Sequence, residues 1–280
     1  MKRILVATDL SPKAGPAIQR ACRIASEQCA ALLILHVVAG SLPAVDRAIL
    51  AEDLEALART QAANHPCARE ITSAVRAGKV ATAINQAALD YEAELIVVGG
   101  HGETRWRDGL FGSAVEQLIR ITTLPVLIAQ GDVHAAYHRV LAAVDEERAA
   151  RDVLNLAGTI GTADSVFAVH AFLPSVATRM REDGKERAQA AAQQALERMM
   201  QEALADRPDV LLHVHAQAMQ GTPLSVIMRA WEMFKPDLLV VSTYGRSGLA
   251  LALRGSFADM AIEELAFDIL VHRLPPPMSG

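Results

Sequence analysis

The chain carries the same sequence pattern twice, and this duplication constrains its fold more than any other feature. Residues 3–9 (RILVATD) match residues 139–145 (RVLAAVD), and residues 94–99 (ELIVVG) match residues 237–242 (DLLVVS). The offset between the copies is 136 residues at the first match and 143 at the second, which indicates a loop insertion. Because solenoid repeats are about 20–50 residues long, a period of this length predicts two domains of one fold.

Each half of the chain alternates short apolar runs with longer segments of helical periodicity. Such near-continuous apolar runs are typical of parallel strands that are covered on both faces. The alternation predicts an α/β fold with right-handed crossovers, in two similar doubly wound domains. We place these domains at residues 1–132 and 137–275, joined by a short linker at 131–136.

The positions of the individual elements follow from the same periodicities. The predicted strands are 4–8, 32–38, 71–76, 95–99, 124–129, 139–144, 165–171, 210–217, 238–242 and 268–273. The predicted helices are 15–29, 46–63, 80–91, 113–121, 149–160, 182–205, 223–234 and 256–265.

The composition excludes several classes of protein. Lys and Arg total 27 against 32 Asp and Glu, so the net charge is −5, whereas a nucleic-acid binder normally carries a basic excess. Three cysteines in 280 residues exclude a disulfide scaffold and suit a reducing compartment. No apolar run reaches the roughly 18 residues of a membrane span, and Asp9 interrupts the short apolar start, which argues against a signal peptide. We expect a cytoplasmic protein without membrane insertion or nucleic-acid binding.

A glycine-rich segment after the fourth predicted strand is the most informative motif. It reads Gly99-Gly100-His101-Gly102, then nine residues, then Gly112-Ser113 at the start of a predicted helix. Glycines let a backbone approach a ligand closely, and the free N–H groups and positive dipole end of a helix N-terminus favour phosphate. In an open α/β sheet, such a loop leaves the carboxyl edge, where ligands bind. Turns alone also require glycine, so the motif by itself leaves a purely structural role open.

Two common phosphate-binding loops do not fit this segment. A Walker A loop needs Gly-Lys-Ser/Thr after its glycines, and a dinucleotide fingerprint needs Gly-x-Gly-x-x-Gly after the first strand. Instead, the spacing Gly-x2-Gly-x9-Gly-Ser between a strand and a helix resembles the nucleotide-binding signature of the universal stress protein family. Asp9 after the first strand, Gly78 before the third helix and the closing run 124–128 (LPVLI) lie where that family places them. The resemblance covers essentially the whole chain, twice, as in tandem members.

The resemblance implies a five-stranded parallel sheet in each domain, flanked by helices, as in the adenine nucleotide alpha hydrolase-like fold. It also implies ATP or ADP across the carboxyl edge of the sheet, with Mg on the phosphates. Asp9 would then lie near the adenosine, and Gly112 and Ser113 would hold the phosphates. Val115 departs from this pattern, because ATP-binding members often carry a second hydroxyl there. The nucleotide-binding residues predicted in the first domain are Asp9, Val37, Gly99, His101, Gly102, Gly112 and Ser113.

The second domain keeps the spacing of the motif but not all of its residues. Ser242 replaces the first glycine, and a serine there would be strained if its backbone required a positive φ. Arg246 and Arg254 flank the loop and could attract phosphate, whereas residues 145–147 place three carboxylates after the first strand. The second domain either binds nucleotide or has kept the scaffold as a dimerisation partner. Its predicted nucleotide-binding residues are Asp145, Gly245, Gly255 and Ser256.

Several alternatives stay open at this point. His213 and His215 would share one face of a predicted strand with Asp209, which is a candidate zinc site. Structural histidines with satisfied hydrogen bonds are the favoured explanation, because two histidines with an uncertain third ligand do not define a metal site. His36 and His170 recur at the end of the second strand in both halves, which indicates a shared structural role near the sheet edge. No nucleophile–base spacing indicates catalysis, so the chain is at most a slow ATPase.

Three functions therefore compete: a stress-response regulator that binds nucleotide, an interaction scaffold that has lost nucleotide, and a weak ATPase or metal-dependent enzyme. The protein partners of such a regulator are unknown. By analogy with family dimers, we expect the last strands, 124–129 and 268–273, to contact each other in an intrachain pseudo-dimer. Whole chains could pair further as a homodimer.

Overall fold

The computed structural model describes residues 1–40, 43–100, 113–131, 135–144, 147–160, 165–175, 178, 180, 183–242 and 267–273. Contacts within the chain divide it into two compact units. The first unit is Met1–Ala136 with Ala258–Arg273, and the second is Tyr137–Phe257 with Leu274–Gly280. The domain boundaries 1–132 and 137–275 stay a prediction.

The first unit is built on five parallel strands in the order β3-β2-β1-β4-β5. The central strand β1 is buried on both faces, since Ile4, Leu5 and Val6 are fully covered. This burial explains why the strands have continuous rather than alternating apolar sequences. The strands are β1 (Arg3–Thr8), β2 (Ala31–Val38), β3 (Glu70–Ala77), β4 (Leu95–Gly99) and β5 (Val126–Ala129).

Among the described residues of this unit, four α-helices accompany these strands. The first helix buries Ala17, Ile18 and Ala21 along one stripe, as its periodicity predicts. It ends where Cys29 takes a left-handed conformation with φ of 47°, a common way to terminate a helix. The helices are α1 (Gly15–Glu27), α2 (Ala44–Asn64), α3 (Val80–Asp90) and α4 (Ser113–Ile121).

The second unit repeats this architecture with four parallel strands in the order β9-β6-β7-β8. Its strands are β6 (Arg139–Ala143), β7 (Ser165–Phe172), β8 (Val214–Gln220) and β9 (Leu238–Ser242). Its helices are α5 (Glu147–Thr159), α6 (Gly184–Ala203), α7 (Pro208–Leu211) and α8 (Pro223–Phe234). The α/β fold of two doubly wound repeats is therefore confirmed.

The last strand, β10 (Asp268–His272), belongs to the first unit. It pairs with β5 in the antiparallel sense, with Leu270 opposite Leu127, so the predicted contact between the two last strands is confirmed. A buried ion pair lies beside this pairing: Arg20 Nε on α1 is 2.8 Å from Asp268 Oδ2. The other carboxylate oxygen accepts the backbone N–H groups of Gln130 and Gly131, at 2.8 and 3.1 Å. Residues from both ends of the sequence thus complete one core.

The strand predicted at 210–217 is wrong in its first half. Pro208 opens the short helix α7, and β8 begins at Val214. Proline is favoured in the first helical turn because its missing N–H needs no partner there. The helix predicted at 256–265 lies outside the described residues. In the described part of the chain, no helix is both long and apolar enough to cross a membrane.

Candidate functional site

The carboxyl ends of β1 and β4 lie side by side in the first unit. The two strands pair in parallel with Ala7 opposite Val98, which brings Thr8 and Asp9 next to Gly99. From β1 the chain winds outward to β2 and β3, and from β4 it winds to β5 on the other side. Such a switch point leaves a crevice at the carboxyl edge, where open α/β sheets bind their ligands. The topology thus brings the predicted residues Asp9 and Gly99 together.

The loop after β1 holds Asp9 in a defined turn. The Asp9 Oδ1 atom accepts the backbone N–H of Ser11 at 2.9 Å, and Thr8 Oγ1 accepts the N–H of Leu10 at 3.0 Å. Leu10 takes a left-handed conformation with φ of 62°, which is uncommon outside glycine. Asp9 itself is exposed at the edge. The turn therefore presents a carboxylate to the crevice with one oxygen held by the backbone.

Ser11 is a residue of this edge that the sequence did not single out. Its Oγ atom is buried and has no hydrogen-bond partner among the described groups. A buried hydroxyl without a partner costs roughly 1–3 kcal/mol, so its retention calls for an explanation such as a ligand. The run of polar residues Thr8-Asp9-x-Ser11 directly after a buried strand was the signal that could have identified it.

His36 and His170 form equivalent hydrogen bonds in the two units. His36 Nδ1 donates to the Thr8 carbonyl at 2.8 Å, and His170 Nδ1 donates to the Val144 carbonyl at 2.9 Å. Each imidazole thereby satisfies the strand-end carbonyl of its neighbouring strand. The predicted shared role near the sheet edge is confirmed. Val37, the next predicted site residue, follows His36 at this edge and is half-buried.

Gly99 and Gly100 differ in how much space the neighbouring atoms leave for a side chain. A Cβ atom on Gly99 would meet nothing nearer than the Ala17 Cβ, at 3.9 Å, which is an ordinary contact. A Cβ on Gly100 would collide with the Gln130 side chain. Packing among the described residues thus requires glycine at 100 but not at 99.

Within the described residues, helix α4 covers Ser113–Ile121, which agrees with the helix predicted at 113–121. The first N–H groups of a helix have no partner within it, so this end can bind an anion. Glu116 lies in the first turn of α4, where its negative charge interacts favourably with the positive end of the helix dipole. The remaining predicted residues of this site, His101, Gly102 and Gly112, lie outside the described residues.

At the equivalent edge of the second unit, the structure describes the strand ends and Val144. Ser242 occupies the position of Gly99 at the end of β9, where it is buried and its φ is not positive, so the expected backbone strain is absent. Its Oγ atom has no hydrogen-bond partner in the described part of the chain. A cavity of about 40 Å³ beside Val144 and Val169 is far below the roughly 300–1,000 Å³ of typical ligand pockets. The predicted residues Asp145, Gly245, Gly255 and Ser256 lie outside the described residues.

The candidate zinc residues are not arranged as the sequence predicts. Asp209 lies in helix α7, where it pairs with Arg207 at 3.1 Å, and is not on a strand face. The His215 ring stacks on Phe167 with the ring centres 5.5 Å apart. No group of three or more His, Cys, Asp or Glu that could hold a metal occurs among the residues that the structure describes. The prediction that Asp209 shares a strand face with His213 and His215 was wrong, because Pro208 begins a helical turn.

The chain is similar in sequence to one protein family along nearly its whole length. The sequence profile of the "Universal stress protein family" matches it twice, over residues 1–130 and 136–273. A universal stress protein from Methanocaldococcus jannaschii is 34% identical over 62 residues, which are 22% of this chain. The match spans 36% of the length of that relative.

Two solved structures share the fold along nearly the full chain. A universal stress protein from Archaeoglobus fulgidus is 20% identical with a TM-score of 0.67, and the match covers 97% of this chain and 98% of that one. A functionally unknown protein from Pseudomonas aeruginosa PAO1 is 19% identical with a TM-score of 0.62, and the match covers 98% and 92%. At these identities the similarity shows the fold alone.

Proposed function

The chain belongs to the universal stress protein family, and from this membership we propose that it is a stress-response regulatory protein of the cytoplasm. In this proposal it binds ATP or ADP at the carboxyl edge of the first unit. Occupancy alters the loops at this edge and thereby the binding of protein partners. The observation that carries the proposal is the switch point between β1 and β4, where Asp9 lies beside Gly99.

The described residues at this edge suit a nucleotide. Asp9 offers an exposed carboxylate that can accept hydrogen bonds from an adenosine, and the buried Ser11 hydroxyl can still make one. Gly99 carries no side chain, so a ligand can approach its backbone closely, and the N-terminal turn of α4 at Ser113 supplies N–H groups for phosphate. Gly102, Gly112 and His101 would complete the phosphate end, where a bound Mg ion would neutralise charge. At most, such a site supports slow ATP hydrolysis.

The first test is nucleotide binding by matched variants of the two units. We expect ATP to bind the purified chain in isothermal titration calorimetry and to raise its melting temperature, since a ligand of the native state stabilises it. Gly112→Val would block the phosphate end and lower ATP affinity by about tenfold or more, a loss of roughly 1.4 kcal/mol. Circular dichroism without ligand checks that the fold survives.

The equivalent substitution Gly255→Val in the second unit is the matched control. If nucleotide binds the first unit alone, Gly255→Val leaves ATP affinity unchanged. Equal losses in both variants would assign a nucleotide to each unit. Unchanged affinity in Gly112→Val, or no binding of ATP or ADP by the natural chain, would contradict the proposed site and favour the interaction scaffold.

A further inference from the structure

The outer parallel strands of the two units, β3 and β8, differ in whether side chains form hydrogen bonds with their outward backbone groups. In the second unit, side chains cover the outward edge of β8. The Gln193 side-chain amide donates to the Ala216 carbonyl at 3.1 Å and accepts the Ala218 N–H at 2.8 Å. Gln189 donates to the Ala218 carbonyl at 2.6 Å, and Arg229 donates to the Gln220 carbonyl at 2.6 Å. The glutamine amides of α6 thus act as a substitute for a further strand.

The outer strand of the first unit, β3, lacks such a cover. The backbone N–H of Gly78, directly after β3, donates to the carbonyl of Val38 on β2, and Val38 is paired with Ala77. Even-numbered positions of β3 therefore direct their backbone groups to β2, and odd-numbered ones face outward. Within the described residues, no hydrogen bond reaches the outward backbone groups of the odd positions, which are Ile71, Ser73 and Val75. On α2, the helix at this edge, the Arg59 and Thr60 side chains bond within the helix. An uncovered edge of this kind is a template for another strand.

The sequence of β3 is complementary to itself when it is read in the opposite direction. Residues 70–76 read EITSAVR, with an acid at one end, a base at the other and no charge between them. An antiparallel pair of two such strands, centred on Ser73, sets Glu70 opposite the partner's Arg76 and Ile71 opposite the partner's Val75. Both opposite charges and pairs of β-branched residues stabilise cross-strand neighbours.

The same register fits the directions of the backbone groups. It makes hydrogen-bonded pairs of Ile71 with the partner's Val75 and of Ser73 with the partner's Ser73, which are odd positions that face outward. Shifts of one residue pair outward with inward positions and lose the hydrogen bonds. Shifts by two residues separate Glu70 from the partner's Arg76. Arg76 is free to change partner, since its bond to Asp90 is long, at 3.5 Å, and exposed.

Space exists on both sides of this edge for the side chains of an added strand. A groove of about 400 Å³ lies between β3 and α2, with Leu54 and Ala58 at its base. A second groove of about 330 Å³ lies between the end of β3 and α3. Alternate side chains of an incoming strand point to opposite faces and can enter these grooves in turn. Every residue of β3 is exposed or half-buried, as expected for an edge that another strand can reach.

We propose that two copies of this chain associate through their β3 edges, as an antiparallel strand pair centred on Ser73. The occupant is a second copy because the strand matches itself in charge, in apolar pairs and in backbone direction. Such a contact is isologous, with each Glu70–Arg76 pair formed twice about a two-fold axis. The contact is independent of nucleotide binding and leaves the carboxyl edge of the first unit free.

The test is a charge swap measured by sedimentation equilibrium of the full chain. Glu70→Arg and Arg76→Glu each place like charges opposite one another twice, so each variant alone should dimerise about tenfold more weakly than the natural chain. An equimolar mixture of the two variants restores both opposite-charge pairs in a heterodimer. We expect the mixture to dimerise as tightly as the natural chain.

Glu232→Arg is the matched control, because Glu232 is exposed on α8 in the second unit and carries the same charge change. We expect it to leave dimerisation unchanged. A natural chain that stays monomeric up to about 1 mM would overturn the proposal and leave the edge to a different occupant. Single variants that dimerise normally, or a mixture that fails to recover, would likewise overturn it.

Discussion

At the scale of single residues, the pair of Arg20 and Asp268 shows how a charge can be kept in a core. Their side chains are 7% and 1% exposed, so both charges have left water. Each is compensated: Asp268 accepts two backbone N–H groups besides Arg20, and Arg20 also donates to the Ala135 carbonyl at 2.8 Å. Buried charges are tolerated when such partners replace water.

We predict that Asp268→Ala lowers the free energy of unfolding of the first unit by roughly 3–5 kcal/mol, because it leaves the Arg20 guanidinium buried without its countercharge. Urea denaturation provides the measurement. Asp46→Ala, at an exposed position of α2, serves as the control and should change stability little. A double substitution to Met at 20 and Leu at 268 should recover much of the loss, since it removes both charges. Equal stability of Asp268→Ala and the natural chain would show that the pair is not a stabilising feature.

The three cysteines should differ in reactivity. Cys22 is fully buried in α1, and burial raises the pKa of its thiol to about 12, whereas Cys29 and Cys67 are exposed. The thiolate is the reactive form, so near pH 8 Cys22 should not react in the native protein. A thiol titration should count two reactive cysteines in the native chain and three after denaturation. Rapid labelling of Cys22 before unfolding would disprove this burial.

At the scale of elements, helix α6 does more than cover a sheet. Its glutamine side chains form hydrogen bonds with the outward backbone groups of β8. Neither the helical periodicity of α6 nor the sequence of β8 predicts these hydrogen bonds. We predict that Gln193→Ala speeds hydrogen exchange of the Ala218 amide by about tenfold, since this N–H loses its acceptor. Gln201→Ala, an exposed glutamine of the same helix, is the matched control. Unchanged exchange at Ala218 would mean that the glutamine does not protect the edge.

Sequence periodicity located most elements within one or two residues. Strand β4 at Leu95–Gly99 and helix α8 at Pro223–Phe234 agree fully, because a long apolar run or stripe leaves few alternatives. The segment around 208–217 failed because its apolar content fits a helix and a strand equally. Of the site, the sequence predicted Asp9, Gly99 and the helix at Ser113–Ile121. It missed Ser11, whose significance depends on the burial of one oxygen.

At the scale of the whole molecule, the last strand of the second repeat completes the first unit. Leu270 on β10 is fully buried and opposite Leu127 on β5. We predict that Leu270→Ala costs about 2–5 kcal/mol and accelerates hydrogen exchange of the β5 amides, although the two strands are far apart in sequence. The control is Leu196→Ala, an equally buried leucine of α6 in the second unit. A Leu270→Ala variant with native protection throughout β5 would contradict the assignment of β10 to the first unit.

The sequence by itself determined the duplication, the α/β class and the positions of most strands and helices, because these depend on local periodicity and on patterns that recur along the chain. It also determined the spacing of the glycine motif. The tertiary structure decided which strand ends meet at the carboxyl edge, that β10 belongs to the first unit, and which sheet edge is covered. These features depend on contacts between residues far apart in the chain, and no local pattern encodes the partner of a strand or the burial of a single hydroxyl.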